Sequence, residues 1–237
     1  MKIISIGDLH GLTTWKIINP ELYDKIIFLG DYVDSFSISD EQILNNLLDV
    51  IQFKKDNPNK VTLLWGNHDL QYLFIFNYYG CSGYRNQMYE QLHKIYNDNK
   101  ELFQMSYQTN DTIWTHAGIH QGWYNHRFNS FRVLNNYDSL TISTQLEIAF
   151  KIKDVDDNAN CLFDVGHRRG GYYNVGGPFW CDVEELKSSP IQGYNQIVGH
   201  NRVKEITKIY RHNKEIVFVD CLENNTDNPK FYEKEFK

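Results

Sequence analysis

Short apolar runs, each ended by a glycine and a polar residue, set the rhythm of the first third of the chain. Residues 3–6, 25–29 and 61–65 have the length and β-branched content of strands. Between them, residues 12–18 predict a short helix. Residues 40–54 predict a longer one, with Ile43, Leu44, Leu47, Val50 and Ile51 at helical spacing. Strands separated by helical crossovers predict parallel βαβ units. Further on, the pattern predicts helices over 84–97 and 139–151, and a hairpin of 103–107 with 112–115 around Asn110-Asp111. The last third predicts strands at 196–198, 206–210 and 216–219, the latter two joined by a turn at 211–214. These runs point to a second, mostly antiparallel sheet packed against the first. No repeat and no Pro/Gly/Ser-rich linker divides the sequence, so an α/β (α+β) fold in one domain over 1–237 is expected.

The polar segment after each strand carries the chemistry. Residue 6 leads into Gly7-Asp8-Leu9-His10-Gly11, residue 29 into Gly30-Asp31-Tyr32-Val33-Asp34, and residue 65 into Gly66-Asn67-His68-Asp69. Parallel strands bring their carboxyl ends to one sheet edge, where open α/β sheets bind ligands. Two later histidines, His116 and His200, also directly follow apolar runs. The ordered set Asp8, His10, Asp31, Asn67, His116 and His200 offers carboxylate oxygen, imidazole nitrogen and amide oxygen. That mixture suits divalent Mn, Fe or Zn. A carboxylate has two oxygens and can bridge a pair of ions ~3.5–4 Å apart.

Each of these residues also has a plainer reading. Asp8 and Asp31 could cap turns, Asn67 could form an Asx turn, and either histidine could be a hydrogen-bonded strand-end residue. Only a shared site accounts for all of them at successive strand ends. His93, His126 and His212 read as ordinary surface or core histidines, and so, despite their neighbourhoods, do His120 and His167.

Composition narrows the partners. The formal net charge is −6 with no block of Lys or Arg, which excludes gripping long nucleic acid by phosphate neutralisation. Small phosphorylated substrates stay open, because bound metal ions add local positive charge. Cys81, Cys161, Cys181 and Cys221 are scattered without a CxxC pair, which predicts reduced thiols in a cytoplasmic protein. No basic leader and no apolar run of membrane-spanning length is evident, so no membrane partner is expected.

The strings GDLHG, GDYVD, GNHD, THAG and the final GH, in that order over about residues 1–202, resemble the calcineurin-like metallophosphoesterase superfamily. The resemblance implies a four-layer α/β/β/α sandwich of two mixed sheets flanked by helices, with a dinuclear metal site at the strand carboxyl ends. It assigns Asp8 and His10 to the first ion, Asp31 to the bridge, and Asn67, His116 and His200 to the second. Manganese is the leading cofactor expectation, with iron or zinc as alternatives. The resemblance also implies hydrolysis of phosphomonoesters or phosphoanhydrides by in-line attack of a metal-bridging hydroxide. His68 would be the general acid, oriented by Asp34.

The GDxVD form is similar to the phosphoprotein-phosphatase branch, which includes symmetrical diadenosine tetraphosphate hydrolases. Three departures matter. Ser35-Phe36 follows Asp34 where the branch has Arg-Gly, Asp69 stands where it has Glu, and Asn201-Arg202 follows His200 where other relatives have a second histidine. The missing arginine leaves a phosphate clamp to be found. Arg168 and Arg169, in a Gly-rich stretch with Tyr172, Tyr173, Phe179 and Trp180, are the substrate-binding candidates. Within phosphoester hydrolysis, a Ser/Thr or Tyr protein phosphatase competes with a dinucleoside polyphosphate or other nucleotide hydrolase. A non-catalytic binding module of the same fold is the alternative of another class. The expected partners are a phosphorylated small molecule, a nucleotide or a phosphoprotein. The sequence leaves the oligomeric state open.

Overall fold

The computed structural model describes residues 1–74 and 80–236, which divide into two compact units. The first comprises Met1–Gln104, Arg202–Ile206 and Val219–Lys237, and the second Met105–Asn201 and Thr207–Phe218. Each is built on one mixed five-stranded sheet with flanking helices.

In the first unit β1 (Lys2–Ile6), β2 (Lys25–Phe28) and β3 (Val61–Leu64) pair in parallel, side by side. Their side chains are almost continuously buried: Ile3, Ile4, Ile6, Ile26, Ile27, Phe28, Leu63 and Leu64 expose next to nothing. Strands covered on both faces read as unbroken apolar runs, which is why alternation is absent from these segments. Full burial of one such side chain stabilises by ~1.5–3 kcal/mol. Helix α1 (Asp40–Asp56) lays Ile43, Leu47, Val50 and Ile51 toward the core. It starts at Ser39, whose hydroxyl accepts the Gln42 N–H while the Gln42 side chain returns to the Ser39 N–H. Trp15 packs edge-on against Phe28 at 5.5 Å and donates Nε1–H to Asn46 at 2.9 Å. Helices α2 (Asn67–Leu73) and α3 (Tyr89–Asn99) complete the local packing.

The structure corrects several expectations. Residues 103–107 are not one hairpin arm. The pair Phe103–Gln104 forms β4, which joins β3 in parallel, and Phe103 stacks on Trp65 at 4.4 Å. The chain then enters the second sheet, where β5 (Ser106–Thr109) pairs antiparallel with β6 (Thr112–Thr115) across Asn110, at φ 49°. An unanticipated strand, β10 (Tyr232–Glu235), runs antiparallel to β1 at the edge of the first sheet. Residues 12–18 hold only a short 3₁₀ turn at Thr14–Ile17. The helix expected from 84 starts at Tyr89 after a 3₁₀ turn, and the helix expected from 139 is α5 (Ile142–Ile152), capped by Thr141; α4 (Asn129–Leu134) precedes it.

The second sheet is mixed rather than mostly antiparallel. Strand β7 (Asn195–Val198), preceded by α6 (Val183–Ser188), inserts between β6 and β9 (Lys214–Phe218), parallel to both. Only β8 (Thr207–Arg211) forms the expected hairpin with β9. Its two-residue turn places His212 and Asn213 at φ 50° and 59°, the left-handed pair that matches hairpin twist. Connections too long for hairpins permit the parallel neighbours.

Candidate metal and phosphate site

The loops after β1, β2 and β3 are laced together by main-chain bonds. The N–H groups of Leu9 and His10 donate to the Asp31 carbonyl at 3.0 and 2.9 Å, and Gly11 N–H donates to the Tyr32 carbonyl at 3.0 Å. The second and third loops approach so closely that a Cβ on Gly66 would lie 2.2 Å from Asp31 Oδ1. Only glycine leaves room there. Non-glycine residues with positive φ include His10 (45°), Asp31 (54°), Asp34 (65°) and His200 (60°), all of them expected site residues. Such conformations cost about 1–3 kcal/mol each and persist where the surroundings over-determine them.

Asp69 is the fastener of these loops, a role the sequence did not suggest. Its Oδ2 accepts the N–H groups of Asp31 and Gly66, both at 2.9 Å. Its Oδ1 accepts Tyr32 N–H at 3.0 Å and Tyr96 O–H at 2.6 Å. Burial pushes its pKa up to about 7, against the pull of those four donors.

Around this frame the first-unit residues assemble. Ligand atoms of His10, Asp31 and His68 all lie within 4.8 Å of one another. Nε2 of His10 is 3.9 Å and Nε2 of His68 4.0 Å from Asp31 Oδ2, and the two rings meet edge to face at 4.9 Å. His10 Nδ1 lies 3.0 Å from the Val33 carbonyl, which can only accept. The proton therefore sits on Nδ1, and Nε2 carries the lone pair a metal ion needs. Asn67 is buried and donates Nδ2–H to Cys81 Sγ at 3.1 Å.

The donor chemistry fits divalent cations. Asp8, Asp31, Asp69 and Asp220 are all buried. Burial first, then the charges of Asp8, Asp69 and Asp220, hold the Asp31 carboxyl well above the usual carboxylate range. Concentrated buried negative charge of this kind is costly without a compensating cation.

The His68–Asp34 pair is embedded in a network of hydrogen-bond donors. Tyr72 Oη accepts Arg85 N–H at 2.9 Å, so its own proton goes to Asp34 Oδ1 at 2.5 Å. Gln71 Oε1 accepts Cys81 N–H at 2.9 Å, so its amide nitrogen is the group that donates to Asp34 Oδ2. His68 Nδ1 lies 2.8 Å from Asp34 Oδ2, and when Asp34 is ionised the Nδ1–H donates to that oxygen. Nε2 lies 4.0 Å from Asp31 Oδ2. Burial lowers both imidazoles, His68 to about 4 and His10 to about 4, and raises Asp34 to about 7.

In the second unit, His116 follows β6 and His200 follows β7, and the ring centroids are 5.0 Å apart. Gly199 N–H donates to the His116 carbonyl at 2.8 Å, which ties the two strand ends together. Trp180 meets the His200 ring edge-on at 5.9 Å. Arg169 is anchored by Asp182 at 3.0 Å and by Asn201 Oδ1 at 2.5 Å. Arg168 is exposed in the 3₁₀ turn His167–Arg169. Of the aromatic cluster, Phe179 is core, Tyr173 lies under the Arg127 guanidinium at 4.2 Å, and Tyr172 is exposed.

These strand-end sites belong to a known family. The family model described as "Calcineurin-like phosphoesterase" matches residues 1–204, and the chain belongs to that family. Members of that family are phosphoesterases that depend on a dinuclear metal centre. Among its relatives is a candidate serine/threonine-protein phosphatase of Schizosaccharomyces pombe, 32% identical over 123 residues, covering 49% of this chain and 39% of that protein. Another is the symmetrical bis(5'-nucleosyl)-tetraphosphatase of a Marinomonas species, 30% identical over 142 residues, covering 52% and 46%. The aligned region spans less than half the length of each curated relative. The cold-active protein-tyrosine phosphatase of a psychrophilic Shewanella shares the fold, with a TM-score of 0.60 at 18% identity over 99% of this chain and 75% of that one. Among the described residues, no helix is long and apolar enough to cross a membrane.

Proposed function

We propose that this protein is a metal-dependent phosphomonoesterase in which His68 protonates the leaving oxygen. The observation that carries the reading is the oriented His68–Asp34 pair standing beside Asp31 and His10. In this reading Asp8, His10 and Asp31 serve one divalent ion, and the motif pattern assigns Asn67, His116 and His200 to the other, with Asp31 shared. Oxygen and imidazole donors suit manganese, and iron or zinc next. When bound, such ions offer Lewis-acid charge to phosphoryl oxygens and lower the pKa of water.

The chain's own groups supply the rest. The Asp34 carboxylate, held by Tyr72 and Gln71, keeps His68 in the Nδ1–H tautomer, with Nε2 available for the transferred proton. Burial lowers the His68 pKa to about 4, and an anionic ester beside it would raise it. Apart from Phe36 the cavity beside this pair is lined by polar side chains and a glycine, which suits a phosphoryl group better than a nucleoside base. For that reason we place phosphomonoesters, including phosphopeptides, ahead of dinucleoside polyphosphates. The name of the Marinomonas relative supports the second reading. A panel of phosphopeptides, nucleotides and dinucleoside polyphosphates, assayed with added manganese, tests the order. Turnover confined to the dinucleoside polyphosphates would reverse it.

A further inference from the structure

The cavity beside His68 and His10 holds one strongly basic side chain among the described residues, and it is Arg202. Asp34, Ser35 and Ser82 also line it. The volume of about 60 Å³ is several times the ~10–15 Å³ that one water requires.

The other arginines near this chemistry are already engaged. Arg85 bonds the Asp40 carboxylate and the carbonyls of Ser35 and Ile38, so it staples the segment after Asp34. In the second unit Arg169 is anchored on Asp182 and Asn201. Arg202 differs. Its guanidinium is more than half exposed and touches Glu223 at 2.5 Å, a solvent-facing ion pair of the kind that holds weakly. Arg202 lines the same small space as His10 and His68.

We propose that Arg202 grips the phosphoryl oxygens of the substrate in this cavity, as a binding and specificity residue for phosphomonoesters. This rests on the phosphomonoesterase reading above. A guanidinium presents a planar fork of donors to two phosphate oxygens, which an ammonium cannot reproduce. Glu223 keeps the fork over the cavity until a phosphate replaces it as partner.

The test compares manganese-loaded wild type with Arg202→Ala, Arg202→Lys, Arg168→Ala and Arg169→Ala. It reads KM and kcat for p-nitrophenyl phosphate, inhibition by inorganic phosphate, and metal content. Arg202→Ala should raise KM and weaken phosphate inhibition at least about tenfold, with metal content unchanged, as loss of a charged hydrogen bond requires. Arg202→Lys should recover part of the loss, and the other two variants should stay within about threefold. A change under about twofold in Arg202→Ala, or a tenfold effect in Arg168→Ala or Arg169→Ala instead, overturns the assignment. If wild type shows no turnover, the phosphoesterase reading is what fails. Calorimetric titration of inorganic phosphate into the metal-loaded protein then still decides Arg202. Binding by wild type that is lost in Arg202→Ala supports it, and equal binding, or none by wild type, overturns it.

Discussion

His68 Nδ1 lies 2.8 Å from Asp34 Oδ2, and the ionised carboxylate, which also accepts from Tyr72 and Gln71, receives the Nδ1–H. In the proposed reaction this pair delivers a proton from Nε2. A general acid matters in proportion to the basicity of the leaving group. His68→Asn should lower kcat for an alkyl phosphate by about 10²–10⁴. It should lower kcat far less for p-nitrophenyl phosphate, whose leaving group needs little protonation. Equal losses on both substrates would show that His68 does something else.

The Tyr72 hydroxyl sits between Asp34 and the Arg85 main chain. Its hydrogen bond lowers the Asp34 pKa against the larger upward push of burial. Tyr72→Phe removes that support, so the Asp34 pKa should rise further above about 7. Less of the carboxylate is then ionised at a given pH, and the acid limb of the kcat profile should move to higher pH. A pH–rate profile that superimposes on wild type would separate Tyr72 from the dyad.

Asp69 accepts four hydrogen bonds while fully buried. Asp69→Asn turns one acceptor oxygen into a donor facing N–H or O–H groups. Stranding one or two buried donors costs about 1–3 kcal/mol each, so urea unfolding should show a loss of about 2–4 kcal/mol. The Asp31 main chain should loosen as well, with weaker manganese retention on dialysis. Wild-type stability in this variant would mean that water replaces the lost acceptor.

These residues mark the limits of the sequence. The strand-end motifs were legible because each apolar run is followed at once by Gly and a polar side chain, and parallel pairing does the rest. Asp69 reads in sequence only as a departure from a motif, because its partners are main-chain N–H groups of another loop. Arg202 lies in a segment with no periodicity, and Tyr72 looks like one more apolar residue of a helix. Strand β10, with the polar sequence Tyr-Glu-Lys-Glu, gives no apolar run because it is an edge strand. The order of the second sheet escaped because β7 reaches its place through a long connection that leaves no local signal.

His120 offers a pH test away from the proposed metal donors. Its Nδ1 accepts Gly122 N–H at 2.9 Å, and burial lowers its pKa below the ordinary 6.5. A depressed folded-state pKa contributes stability above pH 6.5 that is lost as pH falls through the folded value. The stability gap between wild type and His120→Ala should therefore be wider at pH 7.5 than at pH 5. Urea unfolding at the two pH values measures it, and a gap that widens on acidification would reverse the sign.

Metal dependence is the most direct trial of the proposed chemistry. Hydrolysis of p-nitrophenyl phosphate should vanish when the protein is stripped with a chelator and return when manganese is restored. The same restoration should fail in Asp31→Asn, whose amide can offer only one oxygen. Undiminished turnover by the stripped protein, or full recovery in Asp31→Asn, would contradict it.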